Sequence, residues 1–116
     1  MEKSLWKAQY QSPTGSSSTG ITTLDNGLIY GGNAIFYFTG EYDANNKRRS
    51  TATVRIKRYA DGPSILGPVD EGTLVLSGTM SDNTIFFSGY LESNPACKVT
   101  AKMEKLIDLL PPDKNR

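Results

Sequence analysis

Few residues of this chain are able to do covalent or acid–base chemistry. Its 116 residues include no histidine and a single cysteine, Cys97. That removes an imidazole base, a Ser-His-Asp triad, a histidine metal ligand, an intrachain disulfide and a thiolate zinc site. The carboxylates Asp61, Asp70 and Glu71 flank the longest gap between alternating segments. A pair such as Asp70 and Glu71 could divide acid and base roles. Adjacent residues on an extended chain point apart, however, so the two do not converge and read as solvated loop charges. Cys97 falls on an apolar face, while Lys98, the nearest cation in sequence, falls on the other. A reactive thiol needs exposure and positive charge, so Cys97 reads as structural. Gly31-Gly32 has neither a following helix nor the GxxxxGK[ST] pattern of a phosphate loop, and reads as a turn or bulge. The expectation is no catalytic residue, no metal and no cofactor.

Two groups remain that could bind something. The first is basic: Lys47, Arg48, Arg49, Arg55 and Lys57, with Arg58 beside them. Arg55 and Lys57 share a strand face with Thr53 and Tyr59, and Tyr37 is on a neighbouring strand. Cations interleaved with rings suit single-stranded nucleic acid. The net charge of only +1 argues against direct nucleic-acid binding and favours a solvated outer face whose edge charges prevent aggregation. The group also stands as a candidate surface for an acidic protein partner. The second group is aromatic: Trp6, Tyr10, Phe36, Phe38 and Phe87 form a candidate interior, with Leu91. The interior of a small barrel is either filled by side chains or holds one small ligand. A filled core is the commoner outcome for so short a chain, and a hydrophobic ligand is the alternative. A ridge of Ile35, Tyr37, Phe86 and Tyr90 on outer faces is a candidate contact surface.

The elements that must position these residues alternate with period two. The pattern runs through residues 5–11, 20–24, 28–30, 34–42, 51–59, 73–80, 84–91 and 96–105. It predicts half-buried strands throughout. Asn26-Gly27 marks a tight hairpin, because both residues tolerate positive φ. Residues 43–49 are polar and read as a loop. The short Ser64-Ile65-Leu66 stretch reads as a helical turn or a plug. Glycines at 40, 78 and 89 fit the bends that close a small barrel. Nearly every connection is short, which favours a small antiparallel up-and-down eight-stranded β-barrel over a two-sheet sandwich. The fold class is all-β, with one domain over residues 1–110 and a frayed tail over 111–116. A chain of this length buries about two-thirds of its surface, enough for one core. No apolar run approaches the length of a membrane span, and the start lacks a signal pattern, so a cytoplasmic location is expected.

In this order the segments resemble a bacterial family. The shared features begin with the strand Leu5-Trp6-Lys7-Ala8-Gln9-Tyr10 and a small-residue loop ending at Gly20. The block Asn26-Gly27-Leu28-Ile29-Tyr30-Gly31-Gly32-Asn33 follows, then the step Tyr37-Phe38-Thr39-Gly40. A strand ending in Arg58-Tyr59 and the segment Pro63-Ser64-Ile65-Leu66 complete the set. Together they resemble the GrlR-type negative regulators of type III secretion and their uncharacterised relatives. The resemblance implies a lipocalin-like barrel that forms a homodimer and regulates by sequestering a helix-turn-helix transcriptional regulator. An acidic EDED stretch is linked to regulation in that family. Here the corresponding residues 41–50 are basic, so no functional residue is carried over from it.

Overall fold

The computed structural model describes residues 3–12, 17–46, 49–62, 69–81 and 83–109. They form the strands β1 (Ser4–Gln11), β2 (Ser17–Asp25), β3 (Leu28–Gly32), β4 (Phe36–Asn46), β5 (Arg49–Arg58), β6 (Glu71–Met80), β7 (Thr84–Leu91) and β8 (Asn94–Asp108). Each strand pairs with the next, and β8 returns to pair antiparallel with β1. The sheet is therefore a closed, all-β, up-and-down barrel of eight strands, as the alternation predicts. Closure gives every strand a partner on both sides.

The period-two pattern decides which side chains point inward. Trp6, Ala8, Leu24, Phe36, Phe38, Ala52, Val54, Ile56, Leu76, Ile85, Phe87, Val99, Ala101 and Met103 are all buried. The intervening Thr39, Arg55, Lys57 and Lys102 are exposed. Burying each large apolar side chain contributes about 1.5–3 kcal/mol, which is what fixes the register. Asn26 (φ 52°) and Gly27 (φ 91°) make the two-residue turn between the paired Asp25 and Leu28. A Cβ at Gly40, Gly78 or Gly89 would collide with the backbone carbonyl of Thr53, Phe86 or Val75 on the adjoining strand. Those glycines mark points where strand backbones close in, as bends in a small barrel require.

Three segments differ from the sequence reading. Residues 43–46 belong to β4 rather than to a loop, and Arg49 already starts β5, with Asp43 opposite Thr51 and Asn46 opposite Arg49. The ladder carries the polar residues along because strand preference depends more on pairing context than on residue type. Ser17 and Ser18, read as loop, pair with Gln11 and Tyr10 for the same reason. β8 begins at Asn94, so Pro95 sits near the strand start, where a missing N–H is tolerated. At its other end β8 continues to Asp108 with one extra residue: Trp6 faces Lys105 while Leu5 faces Ile107. Leu106 is the bulge, and Leu106 and Ile107 are both exposed. The helical turn or plug at 64–66 and the tail at 111–116 lie outside the described residues.

Candidate functional site

The described residues do not fill the barrel. A cavity of about 620 Å³ runs inside it, walled by Leu24, Ile29, Phe36, Phe38, Ala52, Val54, Ile56, Leu74, Leu76, Ile85, Phe87, Val99, Ala101 and Met103. The filled core expected for a short chain is thus replaced by a hollow one. The strands are longer than the alternation alone indicated, up to 15 residues in β8. Several inward positions also carry small side chains, among them Ala52, Ala101 and Thr22. Of the aromatic residues expected inside, Tyr10, Phe36, Phe38 and Phe87 line the cavity.

Trp6 belongs to the same buried core but does not line the cavity. It packs where the start of β1 meets the end of β8, with its Nε1–H donated to the buried Ser4 Oγ at 2.7 Å. The Lys105 ammonium stands 5.6 Å from its ring centroid. At such a distance the ring face attracts the cation, so Lys105 covers Trp6.

Among the described residues the cavity wall has two hydrogen-bonded polar pairs, Asn33 with Ser18 and Tyr10 with Thr22. Tyr10 Oη and Thr22 Oγ1 lie 3.4 Å apart, and either can donate to the other. Thr22 is only 2% exposed. The Tyr10 ring packs edge-on against Phe38 at 5.6 Å. Phe38 has that position because position 31 lacks a side chain: a Cβ there would strike the Phe38 ring. Burial pushes the Tyr10 phenol up to about 12, only partly opposed by the Thr22 hydrogen bond. Burial also raises the Tyr42 phenol, opposed by a backbone hydrogen bond from Gly27. Thr22 was not singled out from sequence. Its signal was present, since 20, 22 and 24 share the inner side of β2.

One end of the barrel is built by Asn33, Ile35, Arg58 and Tyr59. Asn33 Oδ1 accepts the backbone N–H groups of Ile35 and Phe36, each at 2.9 Å, and its Nδ2 donates to Ser18 Oγ at 3.0 Å. Tyr59 Oη donates to the Asn33 carbonyl, and Tyr59 N–H to that of Ile35. Arg58 donates to Asp70 Oδ1 at 3.0 Å and to the carbonyls of Ala60 and Gly62, with its guanidinium 5.0 Å from the Phe36 ring centroid. Ile35 therefore belongs to this end, packed against the core, and not to an outer ridge. β4 begins only at Phe36, so the alternation does not reach Ile35.

The remaining ridge is divided as well. Tyr37 is on β4 and Phe86 on β7, with β5 and β6 between them. The exposed apolar residues that do gather are Ile21, Leu28, Tyr30, Tyr37 and Tyr59. Ile21 and Tyr37 face each other across the bare Gly32, and Tyr37 meets Tyr59 edge to face at 6.3 Å.

The basic group is spread out. Arg49, Arg55 and Lys57 all point outward from β5. Arg49 and Arg55 are six residues apart along the strand, about 20 Å. Arg55 is held by both carboxylate oxygens of Glu41, and this hydrogen bonding raises its pKa further. Lys57 stands between Tyr37 and Glu71 on the adjoining strands. Lys47 and Arg48 lie outside the described residues. Asp61, Asp70 and Glu71 do not converge with another carboxylate or a cysteine into a metal-binding group, and no such group occurs among the described residues. Cys97 is half-buried against the core.

A closed antiparallel barrel of eight strands around an apolar cavity is the architecture of the lipocalin-like class of binding folds. The sequence matches no protein-family model, and no curated protein matches it.

Proposed function

We propose that this is a non-enzymatic binding protein that holds one small apolar molecule inside the barrel. The cavity carries this reading. Its volume of about 620 Å³ falls within the usual range for ligand pockets, and its wall is mainly hydrophobic and aromatic. Filling 620 Å³ with water would take about twenty molecules, each needing two or more polar partners. A mostly apolar wall supplies few of them, so an organic occupant is favoured. The test is displacement of 1-aminoanthracene, a neutral fluorescent probe, together with native mass spectrometry of protein purified without detergent. A saturable, single-site signal is expected; no binding by any hydrophobic probe overturns the reading.

A second reading is regulation through protein contact, as the likeness to GrlR-type regulators suggests. The exposed strip of Ile21, Leu28, Tyr30, Tyr37 and Tyr59 favours it, since outward apolar clusters tend to mark contact sites. In this reading the partner is a helix-turn-helix regulator or a second copy of the chain, in the cytoplasm. Tyr37→Lys puts a charge at the centre of the strip. It should abolish a captured protein contact while leaving probe binding intact, and an undiminished contact would remove the strip from consideration.

A further inference from the structure

The polar groups of the cavity wall differ in whether they are free to receive a ligand. Asn33 is committed to Ser18 and to two backbone N–H groups. Tyr10 and Thr22 are not committed in this way. Two hydroxyls carry two protons and four lone pairs, and the single hydrogen bond between them uses one of each. One O–H is left to donate, and lone pairs are left to accept. Among the described residues lining the cavity, none is charged. Arg58 lies on the inward side at the end of β5, but it is engaged by Asp70 and two carbonyls. With its phenol pushed up to about 12, Tyr10 remains a neutral donor at every physiological pH.

We infer that the cavity selects a neutral apolar molecule bearing one hydroxyl or carbonyl oxygen, seated against Tyr10 and Thr22, and rejects the carboxylate of the same skeleton. The inference rests on the cavity reading above. A carbonyl oxygen accepts the spare O–H, and a ligand hydroxyl can both accept and donate. A carboxylate would have to give up its hydration for two neutral hydroxyls with no cation beside them, which is the costly case for a buried charge. A plain hydrocarbon fits the wall but leaves the spare O–H without a partner.

Four compounds of one skeleton separate these cases: 4-phenylbutan-1-ol, 4-phenylbutan-2-one, 4-phenylbutanoate and butylbenzene. Each is titrated at pH 8 against bound 1-aminoanthracene. The alcohol and ketone should bind about tenfold tighter than butylbenzene, the worth of one buried hydrogen bond, and at least about tenfold tighter than the carboxylate. In Tyr10→Phe/Thr22→Val the advantage over butylbenzene should fall to about twofold or less, with butylbenzene affinity unchanged. Unchanged butylbenzene binding also reports that the barrel is intact. If the double variant does not fold, the ranking of the four compounds by the unsubstituted protein decides alone, and butylbenzene binding as tightly as the alcohol and ketone overturns the inference. A carboxylate that binds as tightly as the alcohol, or a preference that survives the substitutions, overturns the inference while leaving the cavity reading in place. Failure of all four compounds and of the probe to bind overturns the cavity reading itself, and the inference with it.

Discussion

Whether the barrel is hollow can be decided by filling it. Ala52 on β5 and Ala101 on β8 are both buried and both line the cavity. Ala52→Leu and Ala101→Leu each add three carbons to the interior. At about 0.8 kcal/mol per buried methylene, each gains about 2.4 kcal/mol. Fixing the new rotamer costs about 0.5–1 kcal/mol, which leaves about 1.5 kcal/mol apiece. The two residues stand on strands that do not pair, so the double variant should gain about 3 kcal/mol if the effects add. A filled barrel gives the opposite sign, because overpacking costs about 1–3 kcal/mol per substitution. Urea unfolding of ligand-free protein, followed through the fluorescence of the single tryptophan, measures the difference. The same variants should bind 1-aminoanthracene several-fold more weakly. Destabilisation by the double variant, with probe binding undiminished, would refute both the cavity and the reasoning that gives it an occupant.

The alkaline behaviour of Tyr10 is a second test. Below about pH 10 the phenol is protonated in both states and contributes no slope; between pH 10 and about 12 the unfolded chain releases this proton while the fold retains it. Stability should therefore fall by about 1 kcal/mol per pH unit in that window, and urea unfolding of Tyr10→Phe at pH 9 and 11 should lack that part of the decline. Gly27→Ala, at φ 91°, should lower stability by about 1–2 kcal/mol in the same assay, and an unchanged midpoint would show that the turn relaxes. Ser4→Ala removes the acceptor of the Trp6 Nε1–H and should cost about 1–3 kcal/mol, with a shift in tryptophan emission. Arg55→Ala breaks an exposed ion pair with Glu41 and should leave the urea midpoint nearly unchanged, the more so in high salt.

The closed barrel was legible because its determinants are local and repeated. Each strand states its own inward face, as Phe36 and Phe38 do against Tyr37 and Thr39, and Asn26-Gly27 states its own turn. The alternation failed where the chain leaves the strand period. Ile35 reads as outward if 34–42 is one strand, yet the Asn33 side chain turns the backbone there and β4 starts at Phe36. The polar residues 43–46 looked like a loop because residue type was weighed without the ladder opposite them. The cavity is a different matter, since no single strand contains it. Its volume is the difference between what eight strands enclose and what their inward side chains occupy, and both depend on register around the closed sheet. Ala52, Ala101 and Thr22 each read as an ordinary small residue in its own strand. Only closure sets them around one space, whereas the Tyr10 and Thr22 hydroxyls come within reach through the pairing of β1 with β2. The features that define this fold are therefore written strand by strand, while the feature that suits it to bind a ligand belongs to the sheet as a whole.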